Sequence, residues 1–246
     1  MWRRAAMPIT PLSYHEVIEA CDQPGCPICR IGTRAAERYL AGLIYDSVND
    51  VPTRAGLRES LGFCHEHTWR TPEAGESAPL GIAFIYRDVV NTLNKRLKQV
   101  TFQPSGPAIW RQLKGSVGVE GKNASVAKLL EATAVCPACA RRAEMEGLAI
   151  TAVTDALAQN DPRLREKLEQ SGGFCLPHLR QALDKALNQT AFDHLVRMTS
   201  EKMEALIVEL DEFIRKNDYR FQHEGFNEEA DSWLRAIRLV AGNERP

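Results

Sequence analysis

The sequence has little of what marks nucleic-acid-binding or membrane proteins. Its 31 Lys and Arg residues are balanced by 32 Asp and Glu residues, and the formal net charge is −1. The chain therefore lacks the excess positive charge with which nucleic-acid-binding proteins neutralise phosphate groups. The most apolar window, residues 80–90, contains Arg87 and Asp88 and is shorter than the roughly 18 apolar residues of a membrane span. We expect neither nucleic acid nor a membrane as the partner.

The sequence also lacks the short motifs of the common enzyme classes. A P-loop, GxGxxG, GxSxG and HExxH are all missing, and the sequence favours a protein without catalytic activity. The N-terminal stretch continues into Pro8 and Pro11 rather than an apolar segment, so it does not predict a secretory signal. We therefore expect a cytoplasmic protein, in a compartment that keeps thiols reduced.

What the sequence does contain indicates an all-α fold with an ordinary core. Apolar residues make up 44% and charged residues 26% of the 246 positions, near the average for globular proteins. Apolar residues recur at helical spacing, for example Met203, Leu206, Ile207 and Leu210. Alternating strand patterns bounded by turn residues are missing.

An internal duplication is the main organising feature. Residues 49–67 align without gaps on residues 160–178, with nine identical pairs among nineteen, where chance gives about one. Each repeat is predicted to run as short helix, CPxC, helix, loop, GFCxxH and long helix. The predicted units are residues 1–102 and 124–216, joined by a Pro- and Gly-containing connector at 103–123 and followed by a helical extension at 217–246.

The seven cysteines indicate metal ligands rather than disulfides in a reducing compartment. Each predicted unit has one CxxC and one CxxH, and the i, i+3 spacing brings both donors of a pair to one side of a helical turn. Pro27 and Pro137 suit the first helical position, where the positive helix end opposes the charge of thiolates. The predicted ligands are Cys26, Cys29, Cys64 and His67 in the first unit, and Cys136, Cys139, Cys175 and His178 in the second.

Three thiolates and one imidazole favour Zn²⁺ in a closed tetrahedral site. The prediction is therefore two structural zinc ions in a binding or scaffold module, whose partner is a protein or a small molecule. One alternative is a thiol-based redox or metal sensor that releases zinc on oxidation. Another is an iron–sulfur or metal-dependent enzyme. The simplest competing interpretation treats the cysteines as small buried apolar residues.

Several residues leave alternatives open. Cys21 aligns with Thr133, so it is a buried thiol, a redox partner or a fourth sulfur near Cys26, Cys29 and Cys64. His65 competes with His67, although Leu176 at the matching place favours His67. Arg30, Arg34 and Arg38 form a basic stripe, which is more often a solvated face than an anion site. In the tail, Arg215, Tyr219, Arg220, His223 and Trp233 either line a polar pocket or pack against the repeats.

The motifs CPIC with GFCHEH, CPAC with GFCLPH, and the later NDYRF and DSWLRAI resemble those of an uncharacterised bacterial protein family with duplicated CPxC and GFCxxH motifs. The resemblance covers nearly the whole chain. It implies metal sites at the same eight residues and no particular activity.

Overall fold

The structure is a computed structural model that describes residues 11–74, 79–100 and 127–243. Ten α-helices and three short 3₁₀ segments occupy most of these residues, and the described ranges contain no β-strand. The predicted all-α class is confirmed. The predicted connector at 103–123 lies outside the described residues.

The α-helices are α1 (Pro11–Cys21), α2 (Pro27–Asp46), α3 (Val51–Glu59), α4 (His65–Ala74), α5 (Pro79–Leu97), α6 (Pro137–Ala158), α7 (Pro162–Gln170), α8 (Leu176–Asp184), α9 (Gln189–Lys216) and α10 (Ser232–Ala241). The 3₁₀ segments are Lys128–Leu130, Gln222–Glu224 and Glu228–Asp231. Within the described ranges, none of the helices combines the length and apolar character that crossing a bilayer requires.

The helix starts follow from local sequence. Proline occupies the first position of α2 and α6, where its missing N–H leaves no helical hydrogen bond unmade. Before α3, the Asp50 carboxylate accepts a hydrogen bond from the Thr53 N–H at 2.9 Å. Before α7, Asp161 accepts one from the Leu164 N–H at the same distance. Side-chain caps of this kind satisfy donors that a helix leaves unpaired in its first turn.

Two glycines turn the chain just before the CxxH pairs. Gly62 has φ of +88° and Gly173 has φ of +74°, which is the left-handed region that side chains with a Cβ rarely adopt. Both turns lead directly into a helix start, at α4 and at α8. The two segments thus share a local conformation, while their origin by duplication stays a prediction.

Contacts between Cα atoms divide the chain into two compact units. The first unit comprises Met1–Ala35 with Arg142–Pro246, and the second comprises Ala36–Arg141. This partition differs from the predicted division at residues 102 and 124. Each unit combines the CPxC motif of one repeat with the GFCxxH motif of the other, because α2 and α6 each contribute residues to both units.

Each unit has its own apolar core. In the first unit, the largest buried side chains come from α1, α2, α6, α7 and α9 and from the GFC turn, and include Val17, Ile28, Ile150, Leu157, Leu164, Phe174, Leu195 and Met198. In the second unit, the buried cluster includes Leu40, Leu43, Leu57, Phe63 and Ile85. Cysteines from the CPxC motifs belong to both clusters. The candidate ligands are therefore built into the cores.

The C-terminal extension is held to α9 by ion pairs within the first unit. The Lys216 ammonium lies 2.7 Å from the Glu229 carboxylate, and both side chains are less than a tenth exposed. Arg235 on α10 forms ion pairs with Glu209 on α9 and with Asp231. These contacts fix the direction of α10, which carries the end of the described chain to Cys26, where Asn243 bonds the backbone.

Candidate metal sites

The first cluster lies in the first unit and contains Cys26, Cys29, Cys175 and His178. All four residues are buried, with exposed fractions of 5% or less. The Cys29 and Cys175 sulfurs are 3.6 Å apart. The His178 Nδ1 atom lies 3.5, 3.4 and 3.2 Å from the sulfurs of Cys26, Cys29 and Cys175 respectively. Four donors therefore converge on one point, and this cluster could hold a metal ion.

The second cluster lies in the second unit and contains Cys64, His67, Cys136 and Cys139. The Cys64 and Cys139 sulfurs are 3.6 Å apart. The His67 Nδ1 atom is 3.2 Å from Cys64, 3.3 Å from Cys139 and 3.7 Å from Cys136. Cys136 and His67 are buried, whereas Cys64 and Cys139 are partly exposed. This cluster could also hold a metal ion, but it is less enclosed than the first.

The predicted pairing of motifs is wrong, although all eight predicted residues lie in the two clusters. From the sequence, each CPxC is predicted to share a metal ion with the GFCxxH of its own repeat. In the structure, Cys26 and Cys29 meet Cys175 and His178 from the other repeat, and the second cluster is crossed in the same way.

Helix length gives the physical reason for the crossing. The CPxC motif starts α2, and the GFCxxH motif of the same repeat follows only after α2 has ended. From Cys29, α2 continues to Asp46, and at about 1.5 Å per residue this moves the chain about 25 Å away from Cys29. The 22 residues of α6 have the same effect after Cys139.

All four donor pairs lie at helix N-termini, as predicted. Cys26 and Cys136 directly precede α2 and α6, while Cys64 and Cys175 directly precede α4 and α8. The positive end of each helix dipole therefore faces sulfur atoms that carry negative charge when they are ionised. Each cluster receives two such helix ends.

The electrostatic interactions among the side chains of the first cluster favour a bound cation. Burial lowers the pKa of His178, but the Cys175 and Cys29 sulfurs and the Glu146 carboxylate outweigh it and raise this pKa to about 11. Hydrogen bonds with Cys175 and Cys26 lower the pKa of Cys29, whereas burial raises the pKa of Cys26. Ionisation of one buried thiol therefore makes ionisation of its neighbours less favourable. A bound cation would offset the repulsion between the thiolates.

Thiol ionisation is also disfavoured in the second cluster. Burial, followed by the neighbouring Cys64 sulfur, raises the pKa of Cys139 to about 12. A metal ion that binds thiolates would have to displace this proton.

Glu146 on α6 lies beside the imidazole of the first cluster and is held by Arg142 on the same helix; neither residue was identified from the sequence. The second ring nitrogen of His178, Nε2, lies 3.5 Å from a Glu146 carboxylate oxygen. The other Glu146 oxygen accepts a hydrogen bond from the Arg142 Nε–H at 2.8 Å. Burial raises the pKa of Glu146, but its contacts with His178 and Arg142 outweigh burial and lower it. An ionised carboxylate at this position orients the ring so that Nδ1 faces the sulfurs.

The end of the described chain closes the first cluster, which the sequence also did not reveal. The Asn243 side chain bonds the Cys26 backbone twice: Oδ1 accepts from the Cys26 N–H at 2.7 Å, and Nδ2 donates to the Cys26 carbonyl at 3.0 Å. The Asn243 backbone N–H bonds the Cys29 sulfur. At Gly242, where φ is +96°, a Cβ atom would lie 3.2 Å from that sulfur. Glycine therefore permits this close approach.

Cys21 and His65, whose roles the sequence left open, both lie outside the two clusters. Cys21 is buried but belongs to neither cluster, and burial raises its pKa to about 11, so its thiol stays protonated at neutral pH. The alternative that made it a fourth sulfur beside Cys26, Cys29 and Cys64 is wrong. His65 is exposed and outside the second cluster, which contains His67.

The tail residues predicted either to line a pocket or to pack are mainly held by local contacts. Arg215 bonds Glu212 through Nε at 2.7 Å and also contacts Glu224, and its guanidinium lies 4.6 Å from the Phe221 ring centroid. Arg220 pairs with Asp218 at 2.7 Å. Tyr219 and Trp233 are exposed.

Comparison with known proteins places the chain in a family. A curated relative, the "Uncharacterized 23.9 kDa protein in xynA 3'region" of Caldicellulosiruptor sp. (strain Rt8B.4), is 24% identical over 229 residues, covering 93% of this chain and all of the relative. No solved structure matches the chain. The model of the family of unknown function DUF6062 matches residues 12–246, and the chain therefore belongs to DUF6062.

Proposed function

We propose that the protein binds two Zn²⁺ ions, one in each cluster, and that both ions are structural. Zinc bonds of about 2.3 Å to sulfur and 2.0–2.1 Å to nitrogen imply tetrahedral edges of about 3.8 Å between sulfurs and about 3.6 Å between sulfur and nitrogen. The clusters have sulfur–sulfur separations of 3.6 Å and sulfur–nitrogen separations of 3.2–3.7 Å. This match in two independent clusters is the observation that carries the proposal.

Four protein donors leave no coordination position open for water or substrate, which favours a structural over a catalytic role. Each ion would join two helix starts that are far apart in the sequence: α2 with α8, and α4 with α6. We infer that this fixes the helices of a cytoplasmic binding or scaffold module that arose by internal duplication. The free cysteines of the described chain fit a reducing compartment.

Metal analysis of the purified protein tests this proposal. We expect two zinc ions per chain and little iron, measured by inductively coupled plasma mass spectrometry against protein concentration. A Cys21→Ser variant is the matched control, because Cys21 lies outside both clusters, and it should retain both ions. A zinc content well below two, or a stoichiometric content of another metal, would contradict the proposal.

The Glu146 carboxylate should raise the zinc affinity of the first cluster only. Replacing it in Glu146→Gln removes the negative charge beside His178 Nε2, and losing such a contact typically costs 10–100-fold in metal affinity. Competition with a chromophoric chelator would measure both sites. The second cluster of the same molecule is the internal control. Equal weakening of both sites, or of neither, would refute this role.

The partial exposure of Cys64 and Cys139 favours a second candidate function, a thiol-based sensor of peroxide. Their sulfurs are 3.6 Å apart. Oxidation would remove two electrons from the two thiolates and form one disulfide, while the peroxide takes up these electrons and two protons and becomes two water molecules. The zinc ion would lose two ligands and leave the site.

Variants with one functional cluster each test the sensor. Cys175→Ala retains the second cluster and Cys139→Ala retains the first. Under mild hydrogen peroxide, zinc release followed with a chromophoric indicator should be several times faster from Cys175→Ala, because its remaining sulfurs are more exposed. Equal release rates, or no release from either variant, would eliminate the sensor.

A further inference from the structure

A cavity of about 400 Å³ lies in the first unit, directly beside the first cluster. Its walls come from the GFC turn, from α9 and α10, and from the loop before α2. The lining includes the apolar residues Phe174, Leu206 and Leu239, and the candidate ligands Cys26 and Cys175 form part of one wall. Its volume lies within the roughly 300–1,000 Å³ of small-molecule sites.

Part of the charge around this cavity is internally compensated. Arg235 contacts Glu209 and bonds Asp231 through Nε at 2.8 Å. It also donates a hydrogen bond to the Glu228 carbonyl at 2.8 Å. Both acidic residues of the lining are therefore engaged with the same guanidinium.

Two further cations of the lining have no such carboxylate. The Lys202 ammonium donates to the carbonyls of Glu169 and Ser171 at 2.6 and 2.7 Å, which uses two of its three hydrogens. Within the described ranges, the Arg238 guanidinium makes neither a hydrogen bond nor an ion pair, and the residue's backbone carbonyl accepts from the Gly242 N–H at 2.9 Å. Among the Lys, Arg, Asp and Glu side chains of the lining there are three cations and two carboxylates, and both carboxylates are engaged with Arg235, which leaves Lys202 and Arg238 without an anionic partner in the lining.

We propose that this cavity binds a small organic anion with an apolar body, such as an aromatic or branched monocarboxylate. The acidic group would face Arg238 and the third Lys202 hydrogen, and the apolar body would lie against Phe174, Leu206 and Leu239. Charge-assisted bonds of this kind are the strong polar contacts of ligand sites. The bound molecule would also lie against Cys26 and Cys175. Such a site goes beyond the structural zinc ions, because it adds a ligand to the module.

Calorimetric titration of the full-length, metal-loaded protein with 2-naphthoate tests the site. We expect saturable binding of one molecule per chain. Ala205→Trp, which places an indole at the exposed wall of the cavity, should abolish it. Ile207→Trp is the matched control, since Ile207 is exposed on the same helix but does not line the cavity. Binding that Ala205→Trp leaves intact would overturn the proposal.

The charge requirement is tested with 2-naphthamide, a neutral molecule of similar shape. Arg238→Gln should weaken 2-naphthoate binding roughly tenfold and leave 2-naphthamide binding unchanged. Exposed Arg180→Gln, outside the cavity, should have no effect. Equal affinity of the acid and the amide for the wild-type protein would refute anion recognition. Zinc content measured on every variant keeps this result distinct from the fate of the zinc sites.

Discussion

Replacing Cys26 and Cys175 together should leave one zinc ion per chain, whereas replacing Cys26 and Cys64 together should leave none. Cys26 and Cys175 belong to the same cluster, so replacing both of them disables only that one site. The second pair belongs to different clusters, and each change disables one site. Zinc content by mass spectrometry, on proteins purified with alanine substitutions, measures the difference directly.

The expected pattern is specific to the crossed arrangement. If each CPxC bound metal with the GFCxxH of its own repeat, the two double variants would exchange results: Cys26 with Cys64 would leave one ion, and Cys26 with Cys175 none. The single variants Cys26→Ala, Cys64→Ala and Cys175→Ala should each retain one ion under either arrangement, and they serve as controls. Native mass spectrometry would show whether the remaining ion is bound by folded protein.

The sequence identified the eight residues of the two clusters but not which pairs of them meet. The spacing of cysteine and histidine identified Cys26, Cys29, Cys64 and His67. Pro27 and Gly62 then placed these residues at helix starts. Both predictions succeed because they depend only on residues that are close together in the sequence. Which pairs meet depends on where α2 and α6 carry the chain. That is a property of tertiary structure, and two identical motif pairs allow either assignment.

The residues that contact the first cluster were harder to recognise from the sequence than the clustered residues themselves. Glu146 lies seven positions after Cys139, and the corresponding position after Cys29 is the buried Ala36. The repeat therefore could not identify Glu146 as a contact of a histidine. Asn243 lies 217 positions from Cys26, and its two bonds to that backbone depend on the direction that α10 takes.

This asymmetry makes the clusters inequivalent despite identical donors. The first is fully buried, with a carboxylate behind its imidazole and with Gly242 and Asn243 against its sulfurs. The second has two partly exposed cysteines. Enclosure lowers access of oxidants and chelators to sulfur, so we expect a bound metal ion to leave the second cluster more readily than the first.

Loss of the first ion should unfold the first unit while the second unit stays folded. Zinc binding contributes about 10–16 kcal/mol in small zinc-binding peptides, which is comparable to the whole stability of a domain, roughly 5–15 kcal/mol. In Cys29→Ser, three buried polar groups would also remain in the core without their metal. We therefore expect α1, α7 and α8 to lose most of their protection from amide hydrogen exchange.

Hydrogen exchange followed by mass spectrometry resolves the two units in one experiment. In Cys29→Ser, peptides from α3 and α5 should keep their protection, because their core and their four donors lie within the second unit. Cys139→Ser should give the reverse pattern and is the matched control. Uniform loss of protection in both variants would mean that the units unfold together. Unchanged protection in both would mean that neither ion supports the fold, and the structural role of zinc would then be wrong.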